Sequence, residues 1–358
     1  MTEFKISRRY VLFLAGIAFP ALFFPRLRAI LRNLLFRPKG GTVPVKPLPP
    51  NPFTQDGKSL VSIVKGQNID QMVVRALEGL GGIERLDVRG KEVLVKPNVV
   101  SSSGPPATTN PELIKSVVKF LYQAGAKKVK VGDSSAIITL PTRRNMEKTG
   151  IRKAAEEAGA EALYFDDMDW VKVTPEAAKY AESFFISRPV YEAEIIVSLP
   201  VIKTHHAATY SISLKNWIGI IHPRNRPSLY RPEEWEEIIA EMNLPVHPHL
   251  IIADGTVSMI AGGPWKGTNA PTSLIMASGD RIAIDVAGLG LIKSFGAWER
   301  VSKISPWDQR QIKRAVELGL GSEGPDQIKI VSAALEGEDP GFEKLVKEIE
   351  GHLLVGSR

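Results

Sequence analysis

From residue 59 onward, short apolar segments typical of β-strands alternate with segments whose apolar residues recur at helical spacing. Strands are predicted at 60–65, 92–96, 128–132, 162–165, 194–199, 249–253 and 273–277. Helices are predicted at 69–80, 111–124, 152–159, 232–242 and 281–295. This alternation predicts an α/β fold, with a mostly parallel sheet flanked by helices. Two α/β lobes with the site between them are the alternative arrangement.

The same pattern divides the chain into four predicted regions. Residues 1–40 are predicted to be an export signal or membrane anchor, and residues 41–58 a Pro-rich spacer of extended character. The α/β domain is predicted over 59–335, and a helical tail over 336–358. No internal repeat of fixed period is visible.

The basic residues are concentrated at the N-terminus. Residues 1–46 contain nine basic residues and one acidic residue, which leaves 37 basic and 38 acidic residues for the remainder of the chain. The body is therefore close to neutral, whereas a nucleic-acid groove needs a basic face on the folded domain. The composition argues against a nucleic-acid partner, and it does not indicate an oligomeric state.

The N-terminal segment has the pattern of a targeting sequence. Arg8 and Arg9 stand directly before an apolar stretch, 11–24, as in a twin-arginine export signal. That stretch contains Pro20 and is short for a membrane span of roughly 20 residues. A basic amphipathic segment suited to an anionic membrane surface follows it, "PRLRAILRNLLFRP". We expect export with a retained anchor, at the extracytoplasmic face of the membrane or in the periplasm. A cleaved signal and cytoplasmic membrane association are the alternatives.

Polar side chains follow four of the predicted strands. In α/β sheets ligands bind at the carboxyl ends of the strands, and the residues at those points here are Lys96 to Asn98, Asp133 to Ser135, Lys203 to His206, and Asp254 to Thr256 followed by Gly262 to Pro264. The sequence therefore predicts one site, with Lys96, Asp133, Lys203, His205 and Asp254 facing a common cavity.

A set of short motifs in this region resembles a known family. They are "VLVKPN", "TTNPELI", "VGDSS", "LPVIKTH", "SLKNWIG", "DGTVSMIAGGP" and "GDRIAIDVAG". Their order, from about residue 93 to 296, is that of the uncharacterised family catalogued as domain of unknown function 362. The resemblance points to a site but to no substrate. Some members carry ferredoxin-like cysteine motifs, and because this chain has no cysteine, an intrinsic iron–sulfur cluster is not implied.

Three residues are predicted to be catalytic: Lys96, Lys203 and His205. A desolvated lysine flanked by other cations can have a lowered pKa and act as a base or nucleophile. An unperturbed imidazole titrates near neutrality, which makes His205 the predicted proton-transfer group, while His206 is expected to point elsewhere. The alternative for each lysine is an ordinary strand-end side chain in solvent.

The remaining predicted site residues bind substrate or metal. The predicted substrate-binding set is Asn98, Asp133, Ser134, Lys215, Asn216, Gly263 and Trp265. Asp254 and Asp285 are predicted to hold a divalent metal or to orient a lysine. Asp285 lies in an apolar helical run, where an unpaired carboxylate is costly. Purely structural roles for these two carboxylates, in a turn and an ion pair, are the alternatives. The cofactor itself stays unassigned.

These features predict an exported, membrane-associated protein that acts on a small anionic substrate, a carboxylate or a phosphate. Acid–base chemistry such as isomerisation or proton abstraction fits the predicted residues. A non-catalytic anion- or metal-binding protein that serves a membrane partner is the alternative.

Overall fold

The computed structural model describes residues 40–354. Its strands are β1 to β14, in order Thr54–Gln55, Lys58–Lys65, Glu92–Pro97, Lys128–Asp133, Glu161–Tyr164, Trp170–Val173, Phe184–Ser187, Ile195–Leu199, Val201–His205, Thr209–Ser211, Leu250–Gly262, Gly267–Ala270, Leu274–Ser278 and Ile328–Ala334. Its α-helices are α1 to α12, in order Ile69–Gly79, Pro111–Gln123, Thr142–Lys148, Ile151–Glu157, Arg188–Glu192, Ser213–Asn216, Asn225–Leu229, Trp235–Glu241, Arg281–Ser294, Glu299–Ser302, Arg310–Glu317 and Pro340–Leu354.

One 12-stranded sheet runs through the described part of the chain, and eight of its strands lie in the order β1-β2-β13-β11-β8-β3-β4-β5. Strands β10 and β12 pair antiparallel with β9 and β11, respectively. The neighbours from β11 to β5 are parallel, and β13 is antiparallel to both β11 and β2. Strand β14 pairs in parallel with β2, and β9 pairs in parallel with β11. Only β6 and β7 form a separate, two-stranded sheet among residues 40–354. The α/β fold is as predicted, and of the two predicted arrangements the structure has the single sheet.

The central strands β3 and β8 are buried along nearly their whole length because helices cover both faces of the sheet. Alternate residues of β8 belong to different hydrophobic clusters, Ile196 to one and Ile195 and Val197 to the other. Helix α2 begins where Asn110 accepts a hydrogen bond from the amide of Glu112, with Pro111 at the first helical position. Because both faces of such strands are buried, the sequences of parallel strands are nearly continuous apolar runs.

The predicted elements are present with boundaries shifted by a few residues, and the main differences have local causes. Pro200 has no amide hydrogen, so β8 ends at Leu199 and the chain continues as β9 beside a more distant part of β11. Lys203 therefore lies within a strand instead of after one. Strand β11 is longer than predicted, and β6, β7 and β14 were not predicted.

The segment before β1 is attached to the body. The Val43 amide donates to the Lys172 carbonyl and the Lys46 amide to the Pro245 carbonyl. Helix α12 lies within the predicted helical tail and packs on α9. The predictions of a targeting sequence for residues 1–39 lie outside the described residues.

Candidate functional site

A cavity of about 810 Å³ lies at the carboxyl ends of the parallel strands. Because the strands run in the same direction, the segments that leave β3 and β4 reach the same edge of the sheet. The hairpin of β9 and β10, the end of β11 and the helices α6 to α8 complete the walls. The lining residues come from the segments 98–100, 133–137, 205–207, 215–219, 226–235 and 263–266.

Eight of the predicted site residues line this cavity: Asn98, Asp133, Ser134, His205, Lys215, Asn216, Gly263 and Trp265. His206 lines it as well, with its ring edge-on to Trp298. Lys96 and Lys203 lie behind the wall, each bonded to a lining residue. Asp254 and Asp285 are not among the lining residues.

Lys96 and Asp133 form a buried ion pair at the base of the cavity, with Lys96 Nζ 2.7 Å from Asp133 Oδ1. Lys96 Nζ also donates to the Pro97 carbonyl and to Asn216 Oδ1, and Asp133 Oδ2 accepts from the Val99 amide. Burial lowers the pKa of Lys96, and the Asp133 carboxylate partly offsets that shift. With its donors used inside the protein, Lys96 supports the wall instead of reaching a ligand, contrary to its predicted catalytic role.

Gly219 permits this ion pair. A Cβ at position 219 would stand 1.9 Å from Asp133 Oδ1 and 2.7 Å from Lys96 Nζ. Real side-chain contacts are not that short, so any larger residue here would displace the carboxylate. Gly219 was not predicted as a site residue. The sequence signal that could have pointed to it is its place in the "NWIG" motif.

Lys203 is buried beside the same wall, with 1% of its surface exposed. Its Nζ donates to Asn98 Oδ1 at 2.7 Å and to the Ala107 carbonyl at 2.6 Å. Burial, together with the nearby Lys215 cation, lowers the pKa of Lys203 to about 7. Lys203 is therefore a buried amine that titrates near neutrality, and the lining residue Asn98 stands between it and the cavity.

Lys215 is a buried cation that faces the cavity. It is 6% exposed, and its Nζ lies 5.5 Å from the ring centroid of Trp235. Within residues 40–354 it forms no ion pair and no hydrogen bond through its ammonium group. Burial and the nearby Arg226 lower the pKa of Lys215 to about 8. The Glu236 carboxylate partly offsets that shift but forms no ion pair with Lys215, so the ammonium has no direct partner among the described residues.

His205 is held in one orientation at the end of β9, where its Nδ1 accepts a hydrogen bond from the Ala207 amide at 3.1 Å. Burial, and then the Lys215 and Lys203 cations, lower the pKa of His205 well below 6.5. The ring is therefore neutral at pH 7 and carries its proton on Nε2. The predicted titration of His205 near neutrality does not fit this environment, and the lysines titrate closer to pH 7.

Two further polar groups belong to the cavity wall. Arg226 is buried and donates to the carbonyls of Ile221, Ser134 and Ser135, and it pairs with no carboxylate in the described part of the chain. The Ser134 hydroxyl is buried and has no hydrogen-bond partner in that same region. Arg226 was not predicted, because nothing in "HPRNRPSLY" distinguishes it from its neighbouring arginine.

The loop after β11 closes one side of the cavity. Gly263 has a φ of +91°, and a Cβ there would stand 2.1 Å from the Thr204 carbonyl oxygen, so only glycine fits against β9. Trp265 follows it and is 38% exposed. Gly263 and Trp265 were predicted to bind substrate, and both form part of the cavity wall.

Asp254 and Asp285 have structural surroundings that do not suit the predicted metal role. Asp254 accepts from the amides of Asn110 and Thr256, and Asp285 accepts from the amides of Ser213 and Leu214 at the start of α6. Burial raises the pKa of Asp285 to about 8. Between residues 40 and 354, no three His, Cys, Asp or Glu side chains are grouped as a metal site requires.

The fold and this cavity define an α/β protein with a cationic pocket at the strand ends. The chain belongs to the family described as Domain of unknown function (DUF362), whose model matches residues 93–290. The match covers the cavity segments from Asn98 to Lys266, and the family resemblance of the motifs is thereby confirmed.

A curated relative is thylakoid-associated protein sll1697 of Synechocystis sp., which is 27% identical over 244 residues, or 63% of this chain and 72% of that protein. Among solved structures, the lactate racemase apoprotein from Thermoanaerobacterium thermosaccharolyticum aligns with 59% of this chain at 15% identity and a TM-score of 0.28. The chain spans about half, 52%, of that structure.

Proposed function

We propose that the cavity binds a small anion, a carboxylate or a phosphate, and that Lys215 is the group that pairs with it. The observation that carries this proposal is the buried side chain of Lys215, which lines the cavity and whose ammonium forms no ion pair or hydrogen bond within the described residues. An uncompensated buried charge costs several kcal/mol, and a bound anion removes that cost. The Ser134 hydroxyl, which has no hydrogen-bond partner within residues 40–354, and the buried positive charge of Arg226 support the same ligand charge.

Lys215→Met is expected to weaken binding of acetate and inorganic phosphate at least tenfold, because it removes the cation and keeps an unbranched side chain that is shorter by one atom. The melting temperature should stay the same or rise, since an unpaired buried charge is lost. Ligand-observed NMR titration of the full-length chain measures the affinities. Lys266→Met is the matched control, because Lys266 also lines the cavity but is exposed. Unchanged affinities in Lys215→Met would contradict the proposal.

We further propose that the bound anion undergoes acid–base chemistry. Two lysines whose pKa values lie close to neutrality, Lys203 and Lys215, occur together at a cavity, which is typical of catalytic sites. The Nε2–H of neutral His205 is the group suited to donate a hydrogen bond to a substrate oxygen. Exchange of substrate C–H for deuterium in D2O, followed by NMR with carboxylates that carry an acidic α-hydrogen, tests this chemistry.

A non-catalytic anion-binding protein is the second candidate. One observation favours it: Lys96 and Lys203 each donate two or more hydrogen bonds to protein acceptors, so both are used to build the wall. Anion binding with no deuterium exchange would select this candidate.

For location, we propose that the N-terminal segment exports the protein by a twin-arginine route and holds it at a membrane, with attachment from the cytoplasmic side as the alternative. The relative's description as thylakoid-associated supports membrane association. None of the helices between residues 40 and 354 is long and apolar enough to cross a membrane.

Fractionation tests the location directly. The full-length chain should sediment with membranes, and a chain that begins at Gly40 should appear in the soluble fraction, because it lacks Arg8, Arg9 and the apolar stretch. Replacement of both Arg8 and Arg9 by lysine should block export, although the apolar stretch at 11–24 is unchanged. Equal distribution of full-length and shortened chains would contradict membrane targeting.

A further inference from the structure

The cavity is much larger than a small inorganic anion requires. Its volume of about 810 Å³ falls in the range of roughly 300–1,000 Å³ that is typical of pockets for drug-sized ligands. A phosphate or acetate at Lys215 would leave most of this space for water. The size therefore points to a ligand with a body as well as a charged head.

The cavity wall is mainly apolar apart from the charged groups already described. Val99, Val100, Ile137, Ile218 and Pro227 contribute aliphatic surface to it. Water forms few hydrogen bonds with such a lining. The transfer of an apolar group from solvent into the cavity, by contrast, has a favourable free energy. The composition of the wall thus favours an apolar ligand body.

Aromatic rings connect the charged part of the cavity to its opening. The Lys215 Nζ lies 5.5 Å from the Trp235 ring centroid, and the Trp235 ring lies 5.1 Å from that of Tyr230. Trp235 is buried, but Tyr230 is 46% exposed and Trp265 is 38% exposed. The two exposed rings leave apolar surface that a ligand reaching outward from Lys215 would cover.

We infer that the ligand is an amphiphilic organic anion, with a carboxylate or phosphate head at Lys215 and an apolar body of about six or more carbon atoms along Trp235, Tyr230 and Trp265. This inference rests on the proposed anion site and adds the class of ligand that the site takes. The head satisfies the buried ammonium, and the body fills the apolar part of the cavity.

A series of straight-chain carboxylates tests the inference. Acetate, butyrate, hexanoate and octanoate are titrated into the full-length chain, and ligand-observed NMR gives the dissociation constants. Each methylene that is buried should strengthen binding about two- to fourfold, so octanoate should bind on the order of a hundredfold or more tighter than acetate. The Tyr230→Ser/Trp265→Ser double variant should reduce that ratio at least tenfold. Phe295→Ser is the control, because Phe295 is exposed to a similar degree, 41%, and does not line the cavity.

The possible outcomes separate this inference from the proposal beneath it. Equal binding of acetate and octanoate, both lost in Lys215→Met, would overturn the amphiphilic ligand and leave the anion site standing. Tight octanoate binding that Lys215→Met does not weaken would overturn both, because the cavity would then be a purely apolar site. No binding by any carboxylate or by phosphate would also overturn both.

Discussion

Gly219→Ala is expected to lower the free energy of unfolding by at least about 3 kcal/mol, the order of magnitude for a broken buried ion pair. The added methyl group would stand 1.9 Å from Asp133 Oδ1, and the carboxylate would have to move away from Lys96. Lys96 is 1% exposed, so its ammonium would lose its countercharge in a place that water does not reach. Urea unfolding at constant pH measures the effect.

A matched glycine and a double-mutant cycle show whether the clash with Asp133 is the cause. Gly104 lies in the loop after β3, and a Cβ there meets no atom within 4 Å, so Gly104→Ala should change stability by less than about 0.5 kcal/mol. In an Asp133→Ala background, Gly219→Ala should cost much less than in the wild-type chain, because the clashing carboxylate is gone. If the losses of stability in Gly219→Ala and Asp133→Ala simply add in the double variant, the destabilisation by Gly219→Ala has another cause within the "NWIG" turn.

Lys203→Met is expected to change the way stability depends on pH. The pKa of Lys203 is about 7 in the folded protein and about 10.4 in an unfolded chain. Between these values the unfolded chain holds a proton that the folded protein has released, so this group makes stability rise with pH. From pH 7 to 9.5 the rise amounts to about 3 kcal/mol. Removal of Lys203 should take that rise away, and the wild-type curve should be the steeper one.

The difference between the two curves reports Lys203 together with its coupling to Lys215. Asp285 is present in both proteins, and its contribution cancels when the curves are subtracted. Lys215 acts on Lys203 electrostatically, so its own titration shifts when Lys203 is removed. Measurement stops at pH 9.5, because burial raises the pKa of Tyr210 and tyrosines begin to titrate in the unfolded chain near pH 10. Lys119→Met, on the exposed side of α2, should give a curve parallel to wild type. A parallel curve for Lys203→Met would show that Lys203 stays charged when buried.

The position of the site could be predicted from the sequence because it depends on local patterns. Apolar runs predicted the strands, and the parallel sheet brought the segments that follow them to one edge, which is why Asn98, Asp133 and Ser134 share a cavity. The same reasoning failed for Asp254, since a residue at a strand end can equally well accept hydrogen bonds from the loops around it.

The roles of individual residues could not be predicted, because they depend on contacts between distant parts of the chain. Lys96 meets Asp133 and Asn216, which are 37 and 120 positions away. Whether a lysine faces a ligand or an internal carboxylate is decided by those contacts and not by its neighbours in sequence. Lys215 shows the opposite case: it was predicted to bind substrate, and the structure places it beside Trp235 at the cavity wall.

The pairing of β14 with β2 affects the order in which the protein can be made and folded. Strand β14 covers β2 along seven residue pairs, from Ser59 to Lys65. It leaves the ribosome roughly 260 residues after β2, which is on the order of 10 to 50 seconds at typical rates of synthesis. During that interval the apolar β2 has an open backbone edge of the kind that promotes aggregation. The nascent chain therefore needs either a chaperone or delayed collapse around β2 until its last strand has been synthesised.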